Sequence, residues 1–292
     1  AGAEVDFRDC SVRRDGHTTY VRQYPISIDA AGLLEFKNSA PVREYVQKLR
    51  LVAGEQTIVR VDRAEPSKNL IRGLRAWELL LERYPEFRGR VNFIQFLVPS
   101  RSELGVYQTY TDEVFELVES INDHFGDVDW QPIRVFYEEN YTQAIAGMTL
   151  YDVLLVNPVV DGMNLVSKEG PLVNERDGVV VLSEMAGSYD QLSEYVLPVS
   201  PTDLEGTVRT LHEALTMPKE ERQRRSEALK RLIDEAIDKA LATWPQLARG
   251  ELNATATKLN ARPAPPRPPK PPKAAKPTPA GAPEHSKDEP TP

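Results

Sequence analysis

One cysteine, Cys10, occurs in 292 residues. That excludes an intrachain disulfide framework and any multi-cysteine metal site. The four histidines, His17, His124, His212 and His285, stand at no metal-ligand spacing. No run of about 18 apolar residues and no signal-peptide pattern is present, so the expectation is a soluble, cytoplasmic protein without membrane contact. Positive charge is not in excess either. Lys and Arg number 36 against 44 Asp and Glu, a net charge of −8, the opposite of a general nucleic-acid footprint. The GxGxxG, GxxxxGK(S/T) and GxSxG patterns are missing, so dinucleotide, P-loop and serine-hydrolase readings lack their fingerprints.

Large apolar side chains are also scarce at one end. "ARPAPPRPPKPPKAAKPTPAGAPEHSKDEPTP" is dense in proline. Such a segment cannot bury enough apolar surface to offset chain entropy. Residues 251–292 are therefore expected to form a disordered tail, with "PPRPPKPP" either solvated or docked on a PxxP-binding module. The preceding 219–250 reads as an amphipathic helix with Leu229, Leu232, Ile233, Ile237, Leu241 and Trp244 on its apolar stripe.

Between these limits, residues 31–218 alternate between two periods. "PVREYVQKLRLVAG" reads as a helix with a glycine stop, and "SKNLIRGLRAWELLLERYPEF" and "GVYQTYTDEVFELVESINDHFG" as longer helices. Gly126 stands where a left-handed C-cap would fall. "QTIVRVD", "RVNFIQFLV", "PIRVFY", "YDVLLVNPV", "GVVVLS" and "VLPVS" read as strands. The remaining helices are "YTQAIAGMTL", "MNLVSKEGPLVNE", "SYDQLSEY" and "SPTDLEGTVRTLHEAL", the last with Thr202 and Glu205 at capping-box spacing. Several strands are apolar on both faces, as in a parallel sheet covered on both sides. The predicted fold class is α/β, a doubly wound parallel sheet with flanking helices. In residues 1–30, "TTYVRQYPISID" reads as one strand leading into a proline-marked connection, with no partner helix before it.

Ligands of open α/β sheets bind outside the carboxyl ends of the strands. Arg63 and Lys68 follow one strand there, Arg101 a second, Tyr141 a third and Asp161–Gly162 a fourth. A planar guanidinium and an ammonium beside helix N-termini suit phosphate oxygens. A helix from about Met163 would add free N–H groups, and Gly162 would let the backbone approach a ligand. Glu169, one turn beyond Leu165, would accept from sugar or ribose hydroxyls. Asp161 could do the same or simply cap the helix. Lys168 and Glu169 could form a solvated helix face, and "DVD" at 127–129 is a weak metal-site pattern that follows a helix instead of a strand.

"VDRAEPSKN", "VPSR", "NPVVDGMNLVSKEG" and "VLSEMAGSYDQL", in that order and spacing, resemble the trehalose-6-phosphate synthase family over about residues 18–245. These are retaining glycosyltransferases of the GT-B type, with two facing Rossmann-like domains. The resemblance implies transfer of glucose from UDP- or GDP-glucose to glucose 6-phosphate, without a metal or other cofactor. It implies that Arg63 and Lys68 grip the donor diphosphate and that Asp161 holds glucose hydroxyls. The backbone of Gly162, Met163, Asn164, Leu165 and Val166 would cradle sugar and phosphate. Glu169 would bind ribose, Tyr141 would flank the base and Arg101 would meet the acceptor phosphate. Three positions depart from the family pattern: Val160 replaces its usual arginine, Glu65 an aspartate and Gln143 a basic residue.

The resemblance is to the C-terminal, donor-binding half. Residues 1–30 would be a remnant of the N-terminal domain and the connection, with the missing domain or a complementary chain as partner. An apolar rim left exposed predicts self-association into a homo-oligomer. A glucosylglycerol-phosphate synthase, a pseudo-sugar transferase and a non-catalytic nucleotide-sugar-binding remnant remain as alternatives.

Overall fold

The computed structural model describes residues 2–21, 25–101 and 103–248, with side chains as far as residue 242. It opens on a three-stranded antiparallel sheet of β1 (Glu4–Asp6), β2 (Ser11–Arg14) and β3 (His17–Tyr20). Arg14 pairs with His17 across Asp15 and Gly16, whose φ values are +49° and +79°. Positive φ at both central residues is the requirement of a type I′ hairpin, which an Asp-Gly pair meets. The single strand expected in this region is thus the last of three. Two further helices come before the main sheet, α1 (Ala30–Lys37) and α2 (Ala40–Arg50). Helix α1 was not expected. Asp29 caps it by accepting from the Gly32 N–H at 3.0 Å.

The main sheet begins with β4 (Gln56–Arg63), followed by α3 (Leu70–Arg83), β5 (Val91–Val98), α4 (Gly105–Phe125) and β6 (Ile133–Tyr137). Then come α5 (Tyr141–Thr149), β7 (Val153–Val156), α6 (Val166–Val173), β8 (Val179–Ser183), α7 (Tyr189–Leu192), β9 (Leu197–Val199), α8 (Leu204–Thr216) and α9 (Lys219–Ala248). The strand order is β6-β5-β4-β7-β8-β9, and every pairing is parallel. The chain therefore builds outward from β4 to one edge, returns to the middle at β7 and builds to the other edge. In open parallel sheets ligands bind where the order reverses, here outside the carboxyl ends of β4 and β7.

Period-two alternation explains why the strands are apolar throughout. Ile58, Phe93, Leu97, Val153, Leu155 and Val181 pack on one face with Leu74, Trp77, Ile121 and Leu211 from α3, α4 and α8. Val59, Ile94, Phe96, Leu154, Val156 and Val180 pack on the other with Val42, Ile145, Leu229 and Ile233. Burying such side chains contributes about 1.5–3 kcal/mol each relative to exposure.

Several local expectations are corrected. Gly126 has φ −72° and ψ 161°, so it ends α4 in extended backbone and not in a left-handed cap. Asp203, not Thr202, caps α8 by accepting from the Gly206 N–H at 2.8 Å. Leu51, not Gly54, is the C-cap of α2. On α9, Leu241 is exposed instead of joining the apolar stripe, and the Trp244 side chain lies outside the described residues. So does the proline-rich stretch of the tail.

Candidate donor-binding site

Strand β4 delivers Arg63 to the rim, where its side chain is 55% exposed and its Nη1 lies 3.1 Å from Glu65 Oε2. A short 3-10 turn, Pro66–Lys68, then leads into α3 through Asn69 at φ +61°. Lys68 is tucked under the rim. Its Nζ donates to Asp161 Oδ2 at 2.6 Å and lies 3.9 Å from Asp62 Oδ1. Thus β4 and β7, neighbours at the reversal of the sheet, are joined by an ion pair between their following loops.

The loop after β7 is held by backbone bonds. Val159 N–H donates to the Ser67 carbonyl at 2.8 Å, and Asp161 N–H to the Met185 carbonyl at 3.2 Å. Gly187 N–H and Ser188 N–H donate back to Asp161 and Met163 at 3.0 and 2.8 Å. These ties hold residues 161–165 as irregular backbone, so α6 starts at Val166 and not near Met163. Asn164, at φ +72°, supplies the cap, its Oδ1 accepting from the Ser167 N–H at 3.0 Å. Asp161 is therefore no helix cap. Its Oδ2 accepts from Lys68 and, at 3.1 Å, from Asn164 Nδ2. Burial pushes the Asp161 carboxyl up, but the Lys68 bond and charge outweigh it and hold the group below the ordinary carboxylate range.

The glycine argument also shifts. A side chain at Gly162 would meet open space, whereas a Cβ at Gly187 would collide with the Gly162 carbonyl. Close approach is demanded on the neighbouring loop. Val160 stands exposed beside Asp161.

Glu169 and Tyr141 come together at the mouth, with Tyr141 Oη donating to Glu169 Oε1 at 3.4 Å. Burial pushes Glu169 above the usual carboxylate range, against the Tyr141 bond. Burial and the Glu169 charge push the Tyr141 phenol up to about 12. The Phe36 ring stacks on Tyr141 with centroids 5.5 Å apart. Lys168 is no solvated partner of Glu169: it is fully buried, and its Nζ donates to the Ile26 carbonyl at 3.1 Å. Burial pushes its ammonium pKa down.

Arg101 is exposed, at φ +46°, and donates to Tyr107 Oη at 2.9 Å on its own side of the rim. Gln143 is buried in the first turn of α5. The "DVD" acids make a turn: Asp127 Oδ1 accepts from the Asp129 and Trp130 N–H groups, each at 2.8 Å. Among the described residues, no group of three or more His, Cys, Asp or Glu side chains could hold a metal ion. No described helix is long and apolar enough to cross a membrane.

Sequence reasoning placed Asp62 after its strand without giving it a role and missed Arg60 and Asn157; all three lie buried beneath Lys68 and Asp161. The signal was present as an arginine and an aspartate two positions apart, hence on one face, in an otherwise apolar strand.

What the rim offers is two cations, a carboxylate between them and the mouth, and a loop of irregular backbone. That set can take an anionic diphosphate with a polyhydroxylated group beside it. A family model described as Glycosyltransferase family 20 matches residues 2–253. The UDP-forming alpha,alpha-trehalose-phosphate synthase of Schizosaccharomyces pombe is 33% identical over 244 residues, 82% of this chain and 47% of that one. Among solved structures, the UDP-forming alpha,alpha-trehalose-phosphate synthase of Burkholderia xenovorans in complex with glucose-6-phosphate superposes with a TM-score of 0.75 at 29% identity, covering 85% and 56% of the two chains. The E. coli trehalose-6-phosphate protein bound with UDP-2-fluoro glucose gives 0.77 at 27% identity, covering 86% and 56%. The chain spans 28%, 47% and 51% of three of the curated relatives it resembles, about half their length or less. With a family model that matches residues 2–253, this chain belongs to glycosyltransferase family 20.

Proposed function

We propose that this chain is the nucleotide-sugar half of an alpha,alpha-trehalose-phosphate synthase, binding UDP- or GDP-glucose and serving transfer to glucose 6-phosphate with retention. The observation that carries the reading is the Lys68–Asp161 pair, 2.6 Å apart where the strand order reverses. There a cation for the diphosphate and an acid for the sugar hydroxyls stand side by side. The relatives add weight, since one solved neighbour is bound with UDP-2-fluoro glucose and another is in complex with glucose-6-phosphate.

On this reading Arg63 and Lys68 are the catalytic cations. The bond from the glucose anomeric carbon to the diphosphate oxygen breaks, and negative charge gathers on the leaving group. Fixed cations aimed at that charge lower the barrier, by up to a few kcal/mol each. They fill the place that a divalent ion takes in other phosphate chemistry. The acceptor oxygen bonds on the same face, and its proton passes to the departing phosphate, so no carboxylate nucleophile is required. Asp161 receives glucose hydroxyls, and backbone from Gly162 to Val166 lies along sugar and phosphate. Glu169 takes the ribose and Tyr141 flanks the base. Arg101 is assigned to the acceptor phosphate. Turnover is assigned to this region acting with the remaining half of the relatives' length, whether in the same polypeptide or another. Residues 31–218 are proposed as the donor domain, with residues 219–250 returning along it.

A second reading, a nucleotide-sugar binder without turnover, is favoured by Val160, which leaves the rim without the arginine usual in the family. Calorimetry with UDP, GDP and their glucose conjugates tests the first step of both. Micromolar binding that falls at least tenfold in Arg63→Ala is expected. Arg63 is exposed, so stability should change by less than about 0.5 kcal/mol. No binding by the wild type, or unchanged binding in the variant, would overturn the assignment. Product analysis with the complementing half then separates a synthase from a binder.

A further inference from the structure

Arg60 lies fully buried in the middle of β4, and nothing in the proposed chemistry uses it. A buried guanidinium is costly unless its donors are met. Nε donates to Asp62 Oδ2 at 3.0 Å. Nη2 donates to the Lys68 carbonyl at 2.8 Å and to the side-chain oxygen of Asn157. Nη1 has no partner among the described residues and occupies space that a Cβ at Gly73 would take. Helix α3 thus carries glycine where the guanidinium needs room. The Asn157 carbonyl in turn accepts from Asn69 Nδ2 at 3.0 Å. One buried side chain therefore touches the loops that present both Lys68 and Asp161.

The charges around it are ordered in depth. Asp62 is buried and held from below by Arg60; its other oxygen lies 3.9 Å from the Lys68 ammonium. Asp161 lies above, 2.6 Å from the same ammonium. Two carboxylates compete for one lysine, and Arg60 occupies the lower one. We propose that Arg60 is a positioning residue: by neutralising Asp62 it keeps the Lys68 ammonium directed at the rim, where a diphosphate would lie, instead of inward. The proposal rests on the diphosphate-binding role assigned to Lys68 above. Without Arg60, Asp62 either draws Lys68 down or takes up a proton. Burial already pushes the Asp62 carboxyl up, against the pull of Arg60 and Lys68. The titratable and charged groups facing it are Arg60, Lys68, Asp161 and, from α4, Tyr110.

The test is a cycle on the full chain with UDP as probe: wild type, Arg60→Met, Asp62→Asn and the double variant. Calorimetry at pH 8 should show Arg60→Met at least tenfold weaker than wild type. The deficit should shrink as pH falls and the freed Asp62, which burial pushes up, takes up a proton. The double variant should return to within about threefold of wild type and lose that pH dependence. If Arg60 served only to brace the Asn157 and Lys68 carbonyl contacts, the double variant would stay as weak as the single one, and the proposal would be overturned. Wild-type affinity in Arg60→Met would overturn it too. Should Arg60→Met fail to fold, the double variant is compared with Asp62→Asn: equal affinities support the proposal, a tenfold deficit refutes it. A ligand-free arm follows the Lys68 ammonium by nitrogen-15 NMR. Its resonance should move in Arg60→Met and return in the double variant; an unmoved resonance counts against the proposal. If the wild type binds neither UDP nor GDP, the functional reading fails, and the NMR arm still decides the role of Arg60.

Discussion

Asp161→Asn should tighten the binding of UDP while weakening the discrimination that favours UDP-glucose. The side chains of Lys68 and Asp161 are 11% and 17% exposed and their charged atoms 2.6 Å apart. At an effective dielectric of about 20, two unit charges at that distance attract by about 6 kcal/mol before desolvation. Desolvation of both groups removes most of this, leaving about 1–2 kcal/mol net. A diphosphate gripped by Lys68 changes the balance in one of two ways. Either the lysine leaves Asp161, and the pair is lost, or it bridges both, and the acid stands near a phosphate. At about 5 Å and the same dielectric that repulsion is roughly 3 kcal/mol before screening. Both routes penalise UDP binding in the wild type. Asparagine keeps the shape and an acceptor for Lys68 but removes the charge, so about 1 kcal/mol, roughly fivefold in affinity, should return. UDP-glucose gains the same and loses a charged hydrogen bond to its hydroxyls, about 1.5–3 kcal/mol. The ratio of UDP-glucose to UDP affinity should therefore fall about tenfold or more. Calorimetry at low and high salt measures both terms, and the gain for UDP should shrink with salt. A fall in UDP affinity, or an unchanged ratio, would refute the argument. The same variant carries a pH signature. The folded Asp161 carboxyl titrates below its ordinary value, so its stabilisation is present above that value and is lost as pH falls through the depressed one. Denaturant titrations below about pH 4 should show less acid loss in Asp161→Asn.

Glu169→Gln should weaken UDP about tenfold while leaving pyrophosphate binding unchanged, because the carboxylate is assigned to ribose. Burial holds the Glu169 carboxyl above its ordinary value, so wild-type UDP affinity should begin to fall on acidification above pH 4.5, a decline absent in the glutamine variant. Gly187→Ala drives a Cβ into the Gly162 carbonyl. Overpacking of this kind costs about 1–3 kcal/mol, and urea unfolding together with UDP calorimetry should show both stability and binding lost. An alanine variant with wild-type binding would mean that the two loops need not touch.

The β4–α8 region was legible because its signals are repetitive. Each strand runs apolar for its whole length and each helix shows a stripe, and those two facts imply a covered parallel sheet whichever way it is ordered. The elements before it were not. Helix α1 buries only Leu33, too little apolar periodicity to register, and its start is marked by the single Asp29 cap. The β1–β3 sheet is exposed on most positions, so its strands show no alternation of burial; only the Asp15–Gly16 pair announced a turn. Boundaries at the site failed for a different reason. Met163 to Leu165 have the composition of a helix, yet long-range bonds from Gly187 and Ser188 hold them open until Asn164 caps α6. No local pattern carries that information, because the partner loop is more than twenty residues away.

The residues that were read at the site and those that were missed share a property that composition cannot express. Arg60, Asp62, Lys68 and Asp161 alternate in sign from the sheet interior to the rim, each close to the next. Arg63 and Glu65 repeat the pairing at the surface. Both cations assigned to the diphosphate thus already have a carboxylate partner, and each pair is close to neutral. A diphosphate alone must displace carboxylates to bind, and the displaced Asp161 then lacks a donor. A diphosphate that brings a sugar supplies hydroxyl donors to that same acid as Lys68 leaves it. On the proposed reading, this exchange favours the intact donor over the nucleotide left after transfer, so the arrangement that holds the substrate also speeds release of the product. The strength of that preference is set by how firmly Asp161 and Lys68 hold each other, which is why the buried Arg60–Asp62 pair beneath them bears on function.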